Sequence, residues 1–105
     1  MPADSYRLRW APAAKRDLRE VWRYYANAAS PKVADQLLIK ITDAVAKAAE
    51  RPLLYRPRDS LLPGLRAVIV HPYTAFYRMR DDELEVVRIL HERRDFSAVF
   101  RKDRE

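Results

Sequence analysis

The sequence predicts an α+β domain with the element order β-α-α-β-β-β, in which a helical hairpin packs on an antiparallel sheet as two layers. Three observations lead to this prediction: an alternating apolar run near the N-terminus, two long stretches with apolar residues at helical spacing, and three β-like runs in the second half. A helical hairpin with one apolar stripe needs a facing apolar surface, and the sheet supplies it.

The first strand and the first helix follow one another directly. In SYRLRW, apolar side chains alternate with Arg7 and Arg9, which is the pattern of a half-buried strand. Pro12 suits the first turn of a helix, where its missing N–H is not needed. A helix from about residue 12 to 28 is then predicted from an apolar stripe at three-and-four spacing: Ala14, Leu18, Val21, Trp22 and Tyr25.

A second helix is predicted to begin at Ser30-Pro31, because serine can cap the free N–H groups and proline can occupy the first helical position. It closes near Glu50, before Pro52. Its apolar stripe comprises Ala34, Leu37, Leu38, Ile41, Ala44, Val45 and Ala48. Because the connection around NAAS is short, the two helices are predicted to form an antiparallel hairpin.

The second half of the chain predicts a loop followed by strands. Residues 51–64 hold three prolines and the single glycine of the chain, which indicates a loop. The runs LRAVIV, YTAFYRM and LEVVRIL follow, and the short connections HP and RDDE predict an antiparallel meander. Phe96, Val99 and Phe100 stand at helical spacing and predict a short final helix or a docked segment.

The length and composition limit the number of domains, the kinds of site and the cellular compartment that we expect. The length of 105 residues suits one domain, residues 1–105. Cysteine is absent and only two histidines occur, so we expect neither a disulfide nor a metal site, and no motif indicates a cofactor. No apolar run approaches the roughly 20 residues that span a bilayer, and the N-terminus lacks the apolar core of a secretion signal. We therefore expect a cytoplasmic protein without a membrane partner.

The net charge of +6 is concentrated in residues 51–80, which hold six arginines and one acidic residue. The planar guanidinium of arginine pairs with phosphate or carboxylate through parallel hydrogen bonds. This segment therefore predicts a face for an acidic or anionic partner. A merely solvated arginine-rich surface would give the same pattern, and both interpretations stay open.

The stretch RILHERRDF is the candidate site with the clearest chemistry. His91 could act as a general acid or base, and neighbouring arginines could hold a phosphate. Glu92 or Asp95 could accept a proton or orient the histidine. The alternative is a histidine that is hydrogen-bonded at a strand end and serves the fold.

Several motifs in order resemble the ParE-type toxins of the RelE/ParE superfamily. YRLRWAPAAKRDLREVWRYYA resembles their opening strand and first helix, including the pair Asp17-Leu18, and SPKVADQLLIKI resembles their second helix. Four later stretches resemble their loop, Leu-Arg strand, aromatic strand and terminal strand: RPLLYRP, PGLRAVIV, YTAFYRM and VVRILHERRDF. The resemblance covers about residues 6 to 96.

The resemblance implies the toxin of a type II toxin–antitoxin system, held inactive by a cognate ParD-like antitoxin in a hetero-oligomeric complex. ParE-like members act on DNA gyrase and stall its cleavage complexes, whereas RelE-like members cut mRNA in the ribosome. RNA-cleaving relatives usually carry lysines or a glutamate in a groove beside the sheet, and a tyrosine or histidine near the C-terminus. Residues 51–80 contain no lysine here, and Phe96 and Phe100 stand where a tyrosine would be expected. We therefore expect a gyrase-directed toxin.

The hypothesis of a ParE-like toxin leads to candidate site residues. Target or DNA contacts are expected from five arginines: Arg56, Arg58, Arg66, Arg93 and Arg94. In the alternative, a RelE-like endoribonuclease, His91 and Arg66 would be catalytic. The antitoxin is expected to place an acidic amphipathic segment on a surface that includes Trp22, Tyr25 and Leu38, unless these side chains face only the sheet of the toxin itself. A third possibility is a binding module without toxicity.

Overall fold

The computed structural model describes residues 6–104, and the predicted elements are present there. In chain order the elements are β1 (Arg7–Trp10), α1 (Pro12–Ala28), α2 (Pro31–Glu50), a 3₁₀ turn (Pro52–Leu54), β2 (Arg56–Pro57), β3 (Arg66–Val70), β4 (Tyr73–Arg80), β5 (Glu83–His91) and α3 (Phe96–Asp103). The predicted loop therefore contains a 3₁₀ turn and a two-residue strand, and the tail forms the short final helix.

The helices begin where the sequence places their caps. Pro12 and Pro31 each occupy the first turn of a helix, and the Val33 N–H donates to the Ser30 hydroxyl at 3.2 Å. The α1 helix ends at a turn in which the Ala29 N–H donates to the Tyr25 carbonyl at 2.9 Å. This connection is short enough to return α2 alongside α1 as the predicted hairpin.

The sheet is mixed, with the strand order β1-β5-β4-β3-β2. The pairs β3–β4 and β4–β5 are antiparallel, which confirms the predicted meander. The predicted α+β class is confirmed, but β1 lies parallel to β5 and the sheet is not wholly antiparallel. The two strands are separated by the whole helical hairpin and the rest of the meander, and a crossover of that length permits parallel pairing.

Both faces of the sheet are covered by apolar side chains. The core beneath the helical hairpin is centred on Ile41, Val45, Tyr77, Leu84 and Val86. A smaller core on the opposite face packs α3 and the loop before β3 onto the sheet, through Leu65, Phe76, Leu90 and Phe100. The Phe76 ring meets the rings of Phe96 and Phe100 edge-on, with centroids 5.0 Å apart in each pair. The structure therefore adds a partial third layer to the predicted two.

The β5 strand loses its outer neighbour half-way along its length. The Ala11 N–H donates to the Val86 carbonyl at 2.9 Å, and the chain then turns away into α1. A β-bulge lies at the same level: Phe76 of β4 pairs with Arg88 and Tyr77 pairs with Val86, so Val87 of β5 has no partner in β4. The rest of β5 consequently lies at a sheet edge without a strand beside it, where its backbone donors need other partners.

The carboxylate of Asp17 supplies that partner from α1. Its Oδ2 accepts from the Ile89 N–H at 2.9 Å and from Arg88 Nε at 2.8 Å, and its Oδ1 accepts from Arg88 Nη2 at 3.0 Å. Arg88 Nη1 donates in turn to both carboxylate oxygens of Asp103 in α3, at 3.0 and 3.2 Å. One guanidinium therefore joins β5 to a helix on each side of the sheet.

The pair is nearly enclosed, since the side chains of Arg88 and Asp17 are only 15% and 9% exposed. The hydrogen bonds to Asp17 raise the pKa of the Arg88 guanidinium above its ordinary value, burial opposes that rise, and the bond to Asp103 adds to it. Removing one partner from a buried ion pair leaves the other charge without compensation in a medium of low dielectric constant.

We therefore expect Asp17→Asn to lower the free energy of unfolding by about 3 kcal/mol, as measured by urea denaturation. The matched control is Asp35→Asn, because Asp35 is an exposed acid that accepts one hydrogen bond from Trp22 and the asparagine keeps an acceptor. The control should cost less than about 1 kcal/mol. Equal losses in the two variants would contradict the role given to Asp17.

Candidate functional site

His91 lies at the end of β5, opposite Tyr73 in β4. The Arg93 N–H donates to His91 Nδ1 at 3.1 Å, and the Arg94 N–H donates to the His91 carbonyl at 2.9 Å. The imidazole meets the Tyr73 ring edge-on, with the centroids 5.2 Å apart. These contacts hold His91 as part of the turn into α3.

A groove of about 370 Å³ opens beside His91, between α1 and the exposed end of β5. Its walls include the rings of Tyr24, Tyr25 and Tyr73, with Arg94 at the side. Tyr24 meets Tyr25 edge-on at 5.1 Å, and Tyr25 meets Tyr73 at 6.4 Å. Burial, followed by the effect of Tyr25, raises the pKa of Tyr73 to about 12, so its hydroxyl remains protonated at neutral pH.

Arg66 is the first residue of β3, and its guanidinium donates to backbone carbonyls. Its Nη1 donates to the carbonyls of Tyr55 at 2.7 Å and Leu53 at 3.3 Å. The buried Tyr77 hydroxyl, on the strand beside it, donates to the Pro52 carbonyl. Burial raises the pKa of Tyr77 to about 12, although the positive charge of Arg66 acts in the opposite direction. Both side chains therefore fix the chain segment that follows α2.

The structure does not bring His91 and Arg66 together. Arg66 is paired with Tyr77 in β4, whereas His91 is paired with Tyr73 from the opposite side of that strand. Four residues of strand separate these positions by about 13 Å along β4, and two strand spacings add about 10 Å across the sheet. An acid or base must lie within hydrogen-bond reach of the group that it serves, so these two residues do not form one cleavage site.

The remaining predicted target-binding arginines fall into two groups. The Arg58 guanidinium lies over the rings of Phe76 and Phe96, at 5.9 and 5.7 Å from their centroids. It holds the loop before β3 against the smaller core. Arg56 in β2, and Arg93 and Arg94 in the turn between β5 and α3, are exposed. The exposed three are accessible to a partner, whereas Arg58 and Arg66 have internal contacts.

The predicted antitoxin-binding residues lie in two different grooves. Trp22 and Leu38 line a groove of about 400 Å³ between α1 and α2, with Arg19 and Arg23 also in its lining. The Trp22 indole N–H donates to Asp35 Oδ1 at 2.8 Å, which fixes the ring across the two helices. Tyr25 instead lies in the groove beside His91. Trp22 and Leu38 therefore share a surface that Tyr25 does not.

Sequence reasoning missed two features. The first is the structural role of Asp17, which lies with Ala14 and Val21 on the buried face of α1. The signal in the sequence was a carboxylate at a position of the apolar stripe, since a buried carboxylate needs partners. Leu53 and Leu54 project into solvent from a segment whose prolines predict only a loop, and no pattern in the sequence indicates their exposure.

Among residues 6–104, no three histidine or acidic side chains cluster in a way that could hold a metal ion. Within that same range, no helix is both long enough and apolar enough to cross a membrane.

Comparison with known proteins decides the family. The family model described as "ParE toxin of type II toxin-antitoxin system, parDE" matches residues 8–96, which is most of the chain. The chain belongs to the ParE toxin family. A ParE relative named Toxin ParE1 from Mycobacterium tuberculosis is 34% identical over 92 residues, covering 87% of this chain and 94% of the relative. Toxin ParE3 of Caulobacter vibrioides is 33% identical over 86 residues, covering 82% of this chain and 86% of the relative.

Two solved structures share the fold of this ParE chain. A chain of the chromosomal ParDE toxin–antitoxin system from P. aeruginosa superposes with a TM-score of 0.74 at 23% identity, covering 85% of this chain and 98% of that one. A chain of the RelBE2 toxin–antitoxin complex from Mycobacterium tuberculosis gives a TM-score of 0.59 at 21% identity, covering 83% and 91%. At these identities the likeness concerns the fold alone.

The buried tyrosine hydroxyls make the stability of this ParE chain dependent on alkaline pH. The pKa of Tyr77 is about 12 in the folded chain against 10.0 for an unperturbed tyrosine, so its contribution is fully present below pH 10 and is lost as pH rises through 12. We expect Tyr77→Phe to lose less stability than the wild type between pH 10 and 12. The same variant should cost about 1 kcal/mol at neutral pH, because the Pro52 carbonyl loses its donor.

Chemical denaturation at a series of pH values measures this difference. The matched control is Tyr24→Phe, since the Tyr24 side chain is 63% exposed, and it should follow the wild-type curve. A Tyr77→Phe curve as steep as that of the wild type would contradict the assignment.

Proposed function

We propose that this protein is a ParE toxin that inhibits DNA gyrase by binding it, and that a cognate ParD-like antitoxin neutralises the toxin in a hetero-oligomeric complex. The observation that best supports a binding toxin over an RNA-cleaving one is the separation of His91 from Arg66 by the width of the meander. A metal-independent ribonuclease needs an acid, a base and a cationic group around a single phosphate. A gyrase-directed toxin works beside the chromosome, so the proposed compartment is the cytoplasm.

The exposed arginines suit a complex of an enzyme with DNA. Arg56 projects from the short edge strand, and Arg93 and Arg94 project from the turn between β5 and α3. Each is available to pair with a phosphate or with an acidic side chain, since neither the sheet nor the helices engage these guanidinium groups through the hydrogen bonds or ion pairs found in residues 6–104. The net charge of +6 favours rapid association with such a target.

The antitoxin surface is proposed at the groove between α1 and α2. Trp22 and Leu38 provide apolar walls, and Arg19 and Arg23 provide positive charge close to them. An amphipathic helix with acidic residues beside its apolar stripe matches both properties. The groove beside His91, which contains Tyr25, is the second place where the same antitoxin chain would make contact.

The proposal is tested with purified toxin and gyrase. We expect the toxin to block supercoiling of relaxed plasmid and to cause linear cleaved DNA to accumulate. His91→Gln should act within about twofold of the wild type, because the glutamine carbonyl can still accept the hydrogen bond from the Arg93 N–H and no proton transfer is required. A toxin that leaves gyrase unaffected but cuts ribosome-bound mRNA, with cutting abolished in His91→Gln, would overturn the proposal.

The antitoxin provides the internal control. Mixing the toxin with its cognate antitoxin should restore supercoiling at a stoichiometric ratio. The double variant Trp22→Ala/Leu38→Ala should still inhibit gyrase but need more antitoxin for relief, because it loses the apolar walls of the groove. If the variant is neutralised as efficiently as the wild type, the antitoxin does not use this groove.

A further inference from the structure

Leu53 and Leu54 are the two most exposed large apolar side chains among residues 6–104, at 69% and 72%. They form the 3₁₀ turn that connects α2 to β2, together with the buried Pro52. Single exposed leucines are common on protein surfaces, but an adjacent pair that projects from one turn forms a protruding apolar knob. We call this pair the leucine knob.

The backbone beneath the leucine knob is held by three groups from the sheet side and from the turn itself. Arg66 Nη1 donates to the carbonyls on either side of Leu54, and the Tyr77 hydroxyl donates to the Pro52 carbonyl. The Leu54 N–H donates to the Arg51 carbonyl at 3.1 Å. The fold therefore uses a buried tyrosine and an arginine to order a turn whose two leucines bury little of their own surface.

A rigid turn with exposed apolar side chains is prepared for binding. Ordering a loop on association costs conformational entropy, and a turn that is already fixed avoids that cost. When leucine side chains fill an apolar pocket on a partner, their apolar surface is removed from water, and this burial favours binding. The exposed Arg51 and Arg56 flank the leucines, and Arg66 lies beneath them. This positive charge favours a pocket with acidic residues around its rim.

We propose that the leucine knob inserts into an apolar pocket with an acidic rim on the folded target of the toxin, and that Arg66 is a positioning residue for the knob instead of a contact. This inference rests on the proposed function, under which the target is gyrase. It replaces the expectation that Arg66 itself meets the target, since its Nη1 donates to two carbonyls of the turn and so holds the guanidinium beneath the knob.

The shape of the leucine knob favours the folded target over the antitoxin. A protruding pair of side chains needs a preformed pocket, and a folded enzyme can supply one. An antitoxin segment that folds on binding needs a concave surface to lie in, and the groove at Trp22 and Leu38 already offers that shape. A second copy of this chain would carry the same cluster of positive charge around its own knob, which opposes self-association there.

The test is the double variant Leu53→Ser/Leu54→Ser, assayed for inhibition of gyrase supercoiling. We expect the concentration for half-inhibition to rise by about tenfold or more, because two anchoring leucines are lost from the pocket. The melting temperature should stay that of the wild type, since both side chains are exposed. The matched control is Val33→Ser/Ile39→Ser, which removes two exposed apolar side chains from α2 and should leave half-inhibition unchanged.

The outcomes separate this inference from the proposed function. Wild-type toxin without effect on gyrase would remove the proposed function and this inference with it. Wild-type toxin that inhibits gyrase while the double serine variant inhibits equally well would overturn only the leucine knob. A double variant that inhibits gyrase normally but has lost affinity for the antitoxin would assign the knob to the antitoxin and also overturn the inference.

Arg66→Ala tests the positioning role. We expect it to weaken gyrase inhibition to a similar degree and also to lower the hydrogen-exchange protection factor of the amide at position 54, whereas Leu53→Ser/Leu54→Ser should weaken inhibition with that protection factor unchanged. Arg56→Ala is the matched control for the loss of one positive charge from the same segment, and its Leu54 amide should exchange as in the wild type. Unchanged exchange in Arg66→Ala would overturn the positioning role.

Discussion

The carboxylate of Asp17 joins parts of the chain that are distant in sequence. It accepts the Ile89 N–H at the point where β5 has lost its neighbouring strand, and it binds the Arg88 guanidinium, which also reaches Asp103 in α3. The first helix, the last strand and the last helix are positioned by this one nearly buried group. Since β1 ends at Trp10, opposite Val86 of β5, the sheet edge would otherwise expose a backbone donor that α1 now satisfies.

Most of the polar side chains that the sheet carries near the candidate sites hold neighbouring segments of the chain in place. At the end of β5, Arg88 is taken up by the carboxylates, and His91 is held by the turn that leads into α3. At the start of β3 and the middle of β4, Arg66 and Tyr77 order the turn after α2. The groups with acid–base or phosphate-binding chemistry are therefore used mostly to fix backbone, and what the surface presents is arginines, an apolar groove and the leucine knob. Such a surface is consistent with the proposal that the toxin acts by binding.

The sequence predicted the elements better than their contacts. Helical spacing and the proline caps predicted α1 and α2 with the observed ends, because a local pattern determines them. The parallel pairing of β1 with β5 was not predictable, since alternation of apolar residues is the same in parallel and antiparallel edge strands. The hydrogen bonds of Arg66 to backbone carbonyls were not predictable either, because a sequence shows a charge without showing the groups that a fold brings to it. The exposure of Leu53 and Leu54 has the same origin, because burial of a loop residue depends on distant elements.

The proposal at the centre of these findings is that this ParE family member stops growth by binding gyrase and not by cutting RNA. Pulse-labelling of DNA, RNA and protein synthesis in the minutes after the toxin is induced without its antitoxin tests that proposal directly. Inhibition of gyrase by binding predicts that DNA synthesis falls first, and that His91→Gln gives the same order. If protein synthesis falls first and His91→Gln abolishes that fall, the histidine is catalytic and the proposal is contradicted.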